Sequence, residues 1–382
     1  MRGIEMRLTC LKDNLSKGLA VVSRAVATRT TLPITQNVVL ATDQGRLKLS
    51  STNLEIAIST WIGAEIQEEG SITIPARILT EFVNSLPSEA IEIEQIDAPL
   101  GLSLKCQRSQ TSINGNPTED FPPIPSVDSG VQANIDVGEL KNAIAHVVFA
   151  AATEDSRPVL TGVKCDISGE KFTLAAADGF RLAVYTGKLS SPVEEDLQFV
   201  IPAKALSEIS RLAGGQTDDV IFTVTPSKSQ ALIKLENIEL VSQLIQGSFP
   251  DYNQLLPDNY DNKAIVTQDQ FLAATKTAAI FARDGSGIIR LQSTGSGEGA
   301  RLMISSRAEE IGESEGEVDA TIESGSNDMK IAFNARYLSD VLEVLGQGNV
   351  ILETTSPSSP GVLKAENNDN YIHVVMPMFV QW

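Results

Sequence analysis

The segment SITIPARILTEFVNSL, residues 71–86, recurs twice in similar form. The later copies are QFVIPAKALSEISRL, residues 198–212, and MKIAFNARYLSDVLEVL, residues 329–345. Each copy begins with a short apolar run, passes through a Pro-Ala or Asn-Ala step to a basic residue, and continues as an amphipathic stretch. A short apolar run predicts a strand, and the 3.6-residue period that follows it predicts a helix. The chain therefore predicts the same strand–helix unit three times.

The spacing of the copies indicates repeated domains. Ala76, Ala203 and Ala335 occupy equivalent positions, so the copies are offset by 127 and then 132 residues. A second helical pattern precedes each copy, in residues 11–29, 136–152 and 267–284. Solenoid repeats are only about 20–50 residues long, so a spacing this large is typical of whole domains.

Hairpin-like stretches and linkers complete the predicted organisation. Alternating or apolar segments at residues 46–58, 171–184 and 301–313 predict paired strands. The Pro-rich segment 114–130 and the segment 247–262 predict linkers. We therefore predict an α+β protein of three similar tandem domains, at residues 1–130, 131–261 and 262–382.

Composition narrows the class of protein. The N-terminal residues lack the apolar core of a secretory signal, and no run reaches the ~18 apolar residues of a membrane span. Cys10, Cys106 and Cys165 are far apart, odd in number and without metal-binding or redox spacing. We expect free thiols in a reducing cytosol, and neither a metal ion nor a cofactor.

The formal net charge of −19 argues against a generally basic nucleic-acid binder. The second helix nevertheless places Arg77 opposite an apolar stripe of Ile78, Leu79 and Phe82. Any amphipathic helix turns its charges away from its core, so this pattern alone has an ordinary structural explanation. The six predicted helices together carry slightly more basic than acidic residues, so the negative charge is concentrated elsewhere. A shared helical surface would contact phosphates weakly and without sequence preference.

Four further motifs, in order along the three repeats, resemble one family. They are TRTTLPI at residues 28–34, AADGFRLAV at 176–184, GSFPDY at 247–252 and VVMPM at 374–378. Together they are similar to the bacterial DNA polymerase III beta subunit, the sliding clamp family. The resemblance begins at Met6, so we expect either a start at Met6 or a short extension at residues 1–5.

The resemblance implies a head-to-tail dimeric ring with helices lining a central hole and antiparallel sheets outside. Such a cytoplasmic, nucleoid-associated ring tethers the replicative polymerase to double-stranded DNA, independently of base sequence. It also implies that Arg29 is a loop contact to DNA. The candidate duplex contacts are Lys17, Arg24, Arg29, Arg77, Lys204, Arg211, Lys276, Arg283 and Arg336.

The resemblance further implies a pocket for short peptides of the replicative polymerase, the clamp loader, repair polymerases and other partners. The matching residues are Arg157, Leu160, Gly179, Phe180, Arg181, Leu182, Pro250, Leu255, Asn334, Tyr337, Val374, Val375, Met376, Pro377 and Met378. Apolar members such as Leu160, Leu182, Leu255, Val374 and Met378 would form its floor. Taken without the family, the same residues read as ordinary core at a domain junction.

Phe180, Gln254 and the terminus Phe379 to Trp382 depart from some family members, which makes the pocket rim more aromatic and less basic. For the homodimer, the resemblance implies an interface between a strand at residues 106–113 and the end of a helix. Its candidate residues are Gln107, Thr111, Ile113, Ile280 and Phe281.

Catalytic constellations are scarce in the sequence. His146 and His373 are its two histidines, and neither lies in a recognisable motif with a nucleophile. A P-loop and HExxH are absent, and the glycines of residues 293–301 predict a hairpin turn. We predict a protein that is not an enzyme; the rival hypothesis is an assembly scaffold that never encloses DNA.

Overall fold

The computed structural model describes residues 6–127, 129–154, 156–257, 259–324 and 329–381. The proposed extension at residues 1–5 and the terminal Trp382 lie outside these ranges. The chain forms two compact units. The first runs to Val137 and includes Ala205–Leu244, and the second combines Gly138–Lys204 with the chain from Ile245.

All six predicted helices are present. They are α1 (Lys12–Val22), α2 (Ala76–Ser85), α3 (Val137–Val147), α4 (Ala203–Leu212), α5 (Gln268–Arg283) and α6 (Ala335–Val344). A 3-10 turn follows α1 at Ser23–Ala25 and α3 at Val148–Ala150. Pro75 and Asn334 stand at the N-caps of α2 and α6, and the Asn334 side chain accepts from the backbone N–H of Arg336. Both residues suit a helix start, so the repeated motif begins a helix at the same step.

Strands fill most of the remaining described chain. Those before α3 are β1 (Arg7–Leu11), β2 (Asn37–Asp43), β3 (Arg46–Thr52), β4 (Ile56–Ile62), β5 (Ala64–Glu68), β6 (Ser71–Pro75), β7 (Ala90–Asp97), β8 (Leu100–Cys106), β9 (Ser109–Asn114) and β10 (Val131–Ile135). Those between α3 and α5 are β11 (Gly162–Ser168), β12 (Lys171–Ala177), β13 (Arg181–Lys188), β14 (Leu197–Pro202), β15 (Val220–Val224), β16 (Gln230–Lys234), β17 (Ile238–Gln243) and β18 (Asn262–Thr267). The last are β19 (Ile288–Thr294), β20 (Gly297–Ala308), β21 (Gly312–Ser324), β22 (Lys330–Asn334), β23 (Asn349–Thr354), β24 (Gly361–Ala365) and β25 (Tyr371–Val375).

These strands form three antiparallel sheets. The first unit holds a five-stranded sheet in the order β5-β1-β7-β8-β9 and an eight-stranded sheet in the order β10-β15-β16-β17-β4-β3-β2-β6. The second unit holds a twelve-stranded sheet in the order β14-β11-β12-β13-β25-β24-β23-β18-β21-β20-β19-β22. The fold is therefore α+β, with tandem antiparallel sheets and six helices in the described chain.

Two strand pairings cross the predicted domain boundaries. β17 pairs with β4, with Leu240 opposite Ile58, and β13 pairs with β25, with Leu182 opposite Val374. Each pairing hides edge strands that would otherwise expose unpaired N–H and C=O groups. The compact units therefore do not coincide with the three predicted domains, whose boundaries remain a prediction.

Helices α1, α2, α5 and α6 pack against strands of the sheets. Leu15, Leu19 and Val22 of α1 are fully buried against β3 and β4. Gly18 permits this close approach, because a Cβ at that position would lie 2.7 Å from Leu49 Cδ1. On α2, Leu79 is buried as predicted, but Ile78 is 49% exposed. The apolar stripe of α2 is thus wider than the surface that covers it.

The predicted strand at residues 106–113 is wrong in its extent. β8 ends at Cys106, Gln107 and Arg108 form a two-residue turn, and β9 starts at Ser109. Gln107 has φ of 51°, the left-handed value that tight hairpin turns require. β9 lies at the edge of the five-stranded sheet. Among the described residues, no helix is long and apolar enough to span a membrane.

Candidate functional site

A tight turn between β12 and β13 presents the first residue of the site. The Asp178 carboxylate accepts hydrogen bonds from the backbone N–H groups of Phe180 at 2.8 Å and Arg181 at 3.0 Å. Gly179 adopts a φ of 94°, which costs glycine little. The Asp-Gly pair therefore forms a tight turn, and it leaves the Phe180 side chain 59% exposed.

Arg181 joins three elements of the second unit. Its Nε donates to Asp178 Oδ2 at 3.0 Å, its Nη1 to Asp340 Oδ2 on α6 at 2.6 Å, and its Nη2 to the Phe149 carbonyl at 2.6 Å. The guanidinium also lies over the Tyr337 ring, 4.5 Å from its centroid. Arg181 is only 7% exposed, and a buried charge requires such partners. It thereby fixes β13, α6 and the turn after α3 to each other.

An aromatic wall and a cleft adjoin this arginine. The Phe180 ring stacks on Tyr337 with centroids 6.5 Å apart. The cleft has a volume of about 290 Å³ and is lined by Ala151, Ala152, Thr153, Glu154, Ser156, Arg157, Leu160, Asp178, Phe180, Arg181, Arg336 and Tyr337. It brings together five residues of the predicted pocket. Arg336, predicted as a DNA contact, also lines it.

The predicted apolar floor divides into buried and exposed parts. Leu182 and Val374 form a buried cluster with Tyr252 and Val362, and Leu160 is likewise only 3% exposed. Leu255 is 44% exposed, so a ligand can contact its side chain, whereas the side chains of the cluster are buried. Leu182, Val374 and Leu160 are therefore core residues, and a ligand would contact exposed apolar groups such as Leu255 instead.

The C-terminal segment follows β25 but leaves its strand geometry. β25 ends at Val375, so only the first two residues of the motif at residues 374–378 belong to the strand. The Met376 N–H donates to the Phe180 carbonyl at 2.8 Å, and the Met378 N–H donates to the Ala332 carbonyl at 2.7 Å. These two bonds attach the segment to the Phe180 turn and to β22. Phe379 beyond them is 85% exposed.

The remaining predicted pocket residues lie outside the lining of the cleft. Asn334 caps α6, Val375 and Pro377 are buried, and Pro250 is exposed. Sequence reasoning missed Phe149 and Asp340, because an aromatic residue and an acid on helical segments look like ordinary core and surface. Asp178 carried a signal, since Asp-Gly predicts a turn whose side chain caps the backbone.

The two histidines have structural surroundings. His373 is completely buried, shares a hydrogen bond of 2.9 Å with the Tyr371 hydroxyl and stacks on Phe149. Burial, with a smaller contribution from nearby Arg181, lowers the pKa of His373 to about 3. Its ring is therefore neutral at physiological pH. His146 contacts the rings of Tyr185 and Tyr371.

All nine candidate DNA contacts are exposed. Six of them are nevertheless engaged by acids: Arg24 and Arg211 by Glu208, Arg77 by Glu81, Lys276 by Glu343, Arg283 by Asp284 and Arg336 by Asp340. Lys17, Arg29 and Lys204 form no ion pair with any described residue. The helical surface thus offers fewer free cations than its basic residues suggest.

Comparison with known proteins gives a single family. Three domain models of the DNA polymerase III beta subunit match in tandem: the N-terminal domain at residues 6–125, the central domain at 134–251 and the C-terminal domain at 253–379. The beta sliding clamp of Bacillus subtilis is 29% identical over 98% of this chain and 99% of its own length.

Solved structures agree with these matches. The crystal structure of the Bacillus subtilis DNA polymerase sliding clamp has a TM-score of 0.93 and 28% identity, covering 99% of this chain and 100% of that one. The Pseudomonas aeruginosa sliding clamp bound to griselimycin has a TM-score of 0.89 and 30% identity, covering 98% and 100%. The chain therefore belongs to the DNA polymerase III beta subunit family.

Proposed function

We propose that this chain is a DNA sliding clamp, a non-catalytic processivity factor that encircles duplex DNA and tethers the replicative polymerase. The tandem match of all three beta-subunit domains over residues 6–379 carries this proposal. A ring holds DNA by topology, so it needs no tight grip on the bases. An acidic chain suits this role, because its outer surface repels DNA that is not in the hole.

The topological test uses nicked circular DNA. After loading, the protein should remain on the circle through gel filtration and should leave within minutes when the circle is cut once. An assembly scaffold that never encloses DNA would respond identically to circular and linear molecules. Equal retention on both forms would therefore refute the proposal.

We propose that Lys17, Arg29 and Lys204 make the principal phosphate contacts, since they are the exposed candidates that form no ion pair with a described residue. Changing all three to Glu should weaken DNA binding at least tenfold, and the slope of log K against log salt should fall by about 2–3. Titration at several salt concentrations measures both quantities. The exposed strand variant Lys171→Glu is the control.

Arg24→Glu is a poor variant for that experiment. Arg24 pairs at 2.9 Å with Glu208, whose side chain is only 18% exposed. The substitution would therefore place a second carboxylate next to the carboxylate of Glu208. Lost stability would then mimic lost DNA binding. Salt-independent or sequence-specific binding by the unmodified chain would contradict the phosphate-contact proposal as a whole.

We propose a homodimer in which β9 of one subunit pairs with a second copy. β9 is an edge strand that carries Thr111 and Ile113, with Gln107 in the preceding turn. Ile280, 57% exposed, and the half-buried Phe281 lie near the end of α5. An unpaired edge strand readily accepts another strand, and two apolar side chains would add a dry contact beside it.

Ile280→Ala with Phe281→Ala should weaken this dimer strongly, since truncating each side chain that assembly buries costs roughly 2–5 kcal/mol. Light scattering across a dilution series would show monomers at concentrations where the unmodified chain is dimeric. Leu54→Ala, which truncates an equally exposed apolar side chain, is the matched control. A dimer mass that persists at the lowest concentration would exclude this interface.

We propose that the cleft beside Phe180 binds linear peptides of the replicative polymerase, the clamp loader, repair polymerases and other partners. A peptide with a Gln followed by two apolar residues would place its anchor against Phe180 and Tyr337. Met376, 36% exposed, adds an adaptable side chain nearby, and methionine suits a surface that accepts several ligands.

A further inference from the structure

The cleft contains three arginines in two different electrostatic states. Arg181 is buried and held by Asp178 and Asp340. The Arg336 side chain is 81% exposed, and its Nε lies 4.0 Å from Asp340 Oδ2, an oxygen that Arg181 Nη1 already occupies at 2.6 Å. Arg336 is therefore only loosely paired and can bind another acid.

Arg157 is the second accessible cation. It is exposed, lines the same cleft and forms no ion pair with any described residue. Its Nη1 lies beside the Phe180 turn, 3.6 Å from the position that a Cβ on Gly179 would take. Arg157 and Arg336 thus stand at a cleft whose wall is the aromatic pair Phe180 and Tyr337.

The acids near these cations are unevenly engaged. Arg181 holds Asp178 and Asp340, which leaves Glu154 as the other acid among the described lining residues. Arg157 and the loosely paired Arg336 therefore present exposed guanidinium groups next to the aromatic wall. Guanidinium groups bind carboxylates with two parallel hydrogen bonds, which a compact ammonium cannot do.

We propose that Arg336 and Arg157 form a carboxylate-binding subsite that selects partner peptides carrying a carboxylate next to their apolar anchor. The carboxylate comes either from an acidic side chain or from the C-terminus of the peptide. The inference rests on the proposed function, since it takes the cleft as the peptide site. It also reassigns Arg336, which the sequence predicted as a DNA contact, to partner selection.

Three fluorescent peptides with the same Gln and apolar anchor test this subsite. One ends in a free carboxylate directly after the anchor, one is amidated there, and one is amidated with a Glu beside the anchor. Their affinities for the full-length chain are measured by anisotropy at low and high salt. The protein variants are Arg336→Gln, Arg157→Gln and, as a charge-matched control on β12, Lys171→Gln.

The unmodified chain should bind at least one carboxylate peptide about three- to tenfold more tightly than the neutral peptide, the range for exposed and charge-assisted pairs. High salt should reduce this preference. Arg336→Gln and Arg157→Gln should each remove most of it and change the affinity of the neutral peptide less than twofold. Whichever carboxylate peptide is preferred identifies the source of the carboxylate.

Other outcomes would overturn the inference in distinct ways. Equal binding of all three peptides would refute the subsite and leave the peptide cleft standing. Equal loss for neutral and charged peptides would show that Arg336 only supports the wall. If Arg336→Gln is retained less well on circular DNA and the peptide preference is intact, then Arg336 contacts the DNA duplex and does not select partner peptides. Binding of none of the peptides would refute the proposed peptide function as well.

Discussion

Arg181→Met should lower the free energy of unfolding of the second unit by about 3–5 kcal/mol, the cost of removing one partner from a buried ion pair. Arg181 is the shared partner of Asp178, Asp340 and the Phe149 carbonyl. Methionine retains apolar volume but donates no hydrogen bond. The substitution therefore leaves two partly buried carboxylates without their shared cation, and only the loosely paired Arg336 remains near Asp340.

Urea denaturation, followed by the fluorescence of a probe in the second unit, measures this change. Lys171→Met, on an exposed strand position, should change the unfolding free energy by less than about 0.5 kcal/mol. Adding Asp340→Asn to Arg181→Met should recover part of the loss, because one unpaired charge is removed. A loss below 1 kcal/mol for Arg181→Met would mean that Arg181 does not hold the three elements together.

Deleting residues 376–382 should abolish peptide binding and leave the dimer intact. The deletion removes the Met376 N–H bond to Phe180 and the Met378 N–H bond to Ala332, so the turn and β22 lose the segment that joins them. It also removes the exposed apolar groups Met376 and Phe379. Exposed apolar clusters commonly mark interaction sites. The deleted segment includes Trp382, which lies outside the described residues.

Peptide anisotropy and light scattering on the same sample separate the two effects. A shorter deletion of residues 379–382 keeps both backbone bonds, so it should retain most of the affinity. It reports the contribution of the last four residues. Phe180→Ala should weaken binding by about 1–2 kcal/mol, as expected for an aromatic residue on the rim of an interface. Full affinity after the longer deletion would refute the assignment of this segment to the cleft.

The sequence determined the local structure and the repeat. The strand–helix steps at Ala76, Ala203 and Ala335 all begin helices at the predicted residue. This succeeds because N-capping and amphipathic periods act over only a few residues. The predicted glycine turn after Thr294 is correct for the same reason. The family motifs likewise depend on order and spacing along the chain.

Only the tertiary structure decided which strands pair with each other and which side chains from distant segments meet. Pairing of β4 with β17 and of β13 with β25 joins strands that are far apart in sequence, so local periodicity carries no information about it. Local sequence also does not predict the ion pair of Arg181, because its partner Asp340 is 159 residues away. A helical wheel likewise does not show that Arg336 lines the cleft. A wheel reports which face of a helix a side chain occupies, whereas its charge partners depend on which other chain segment packs there.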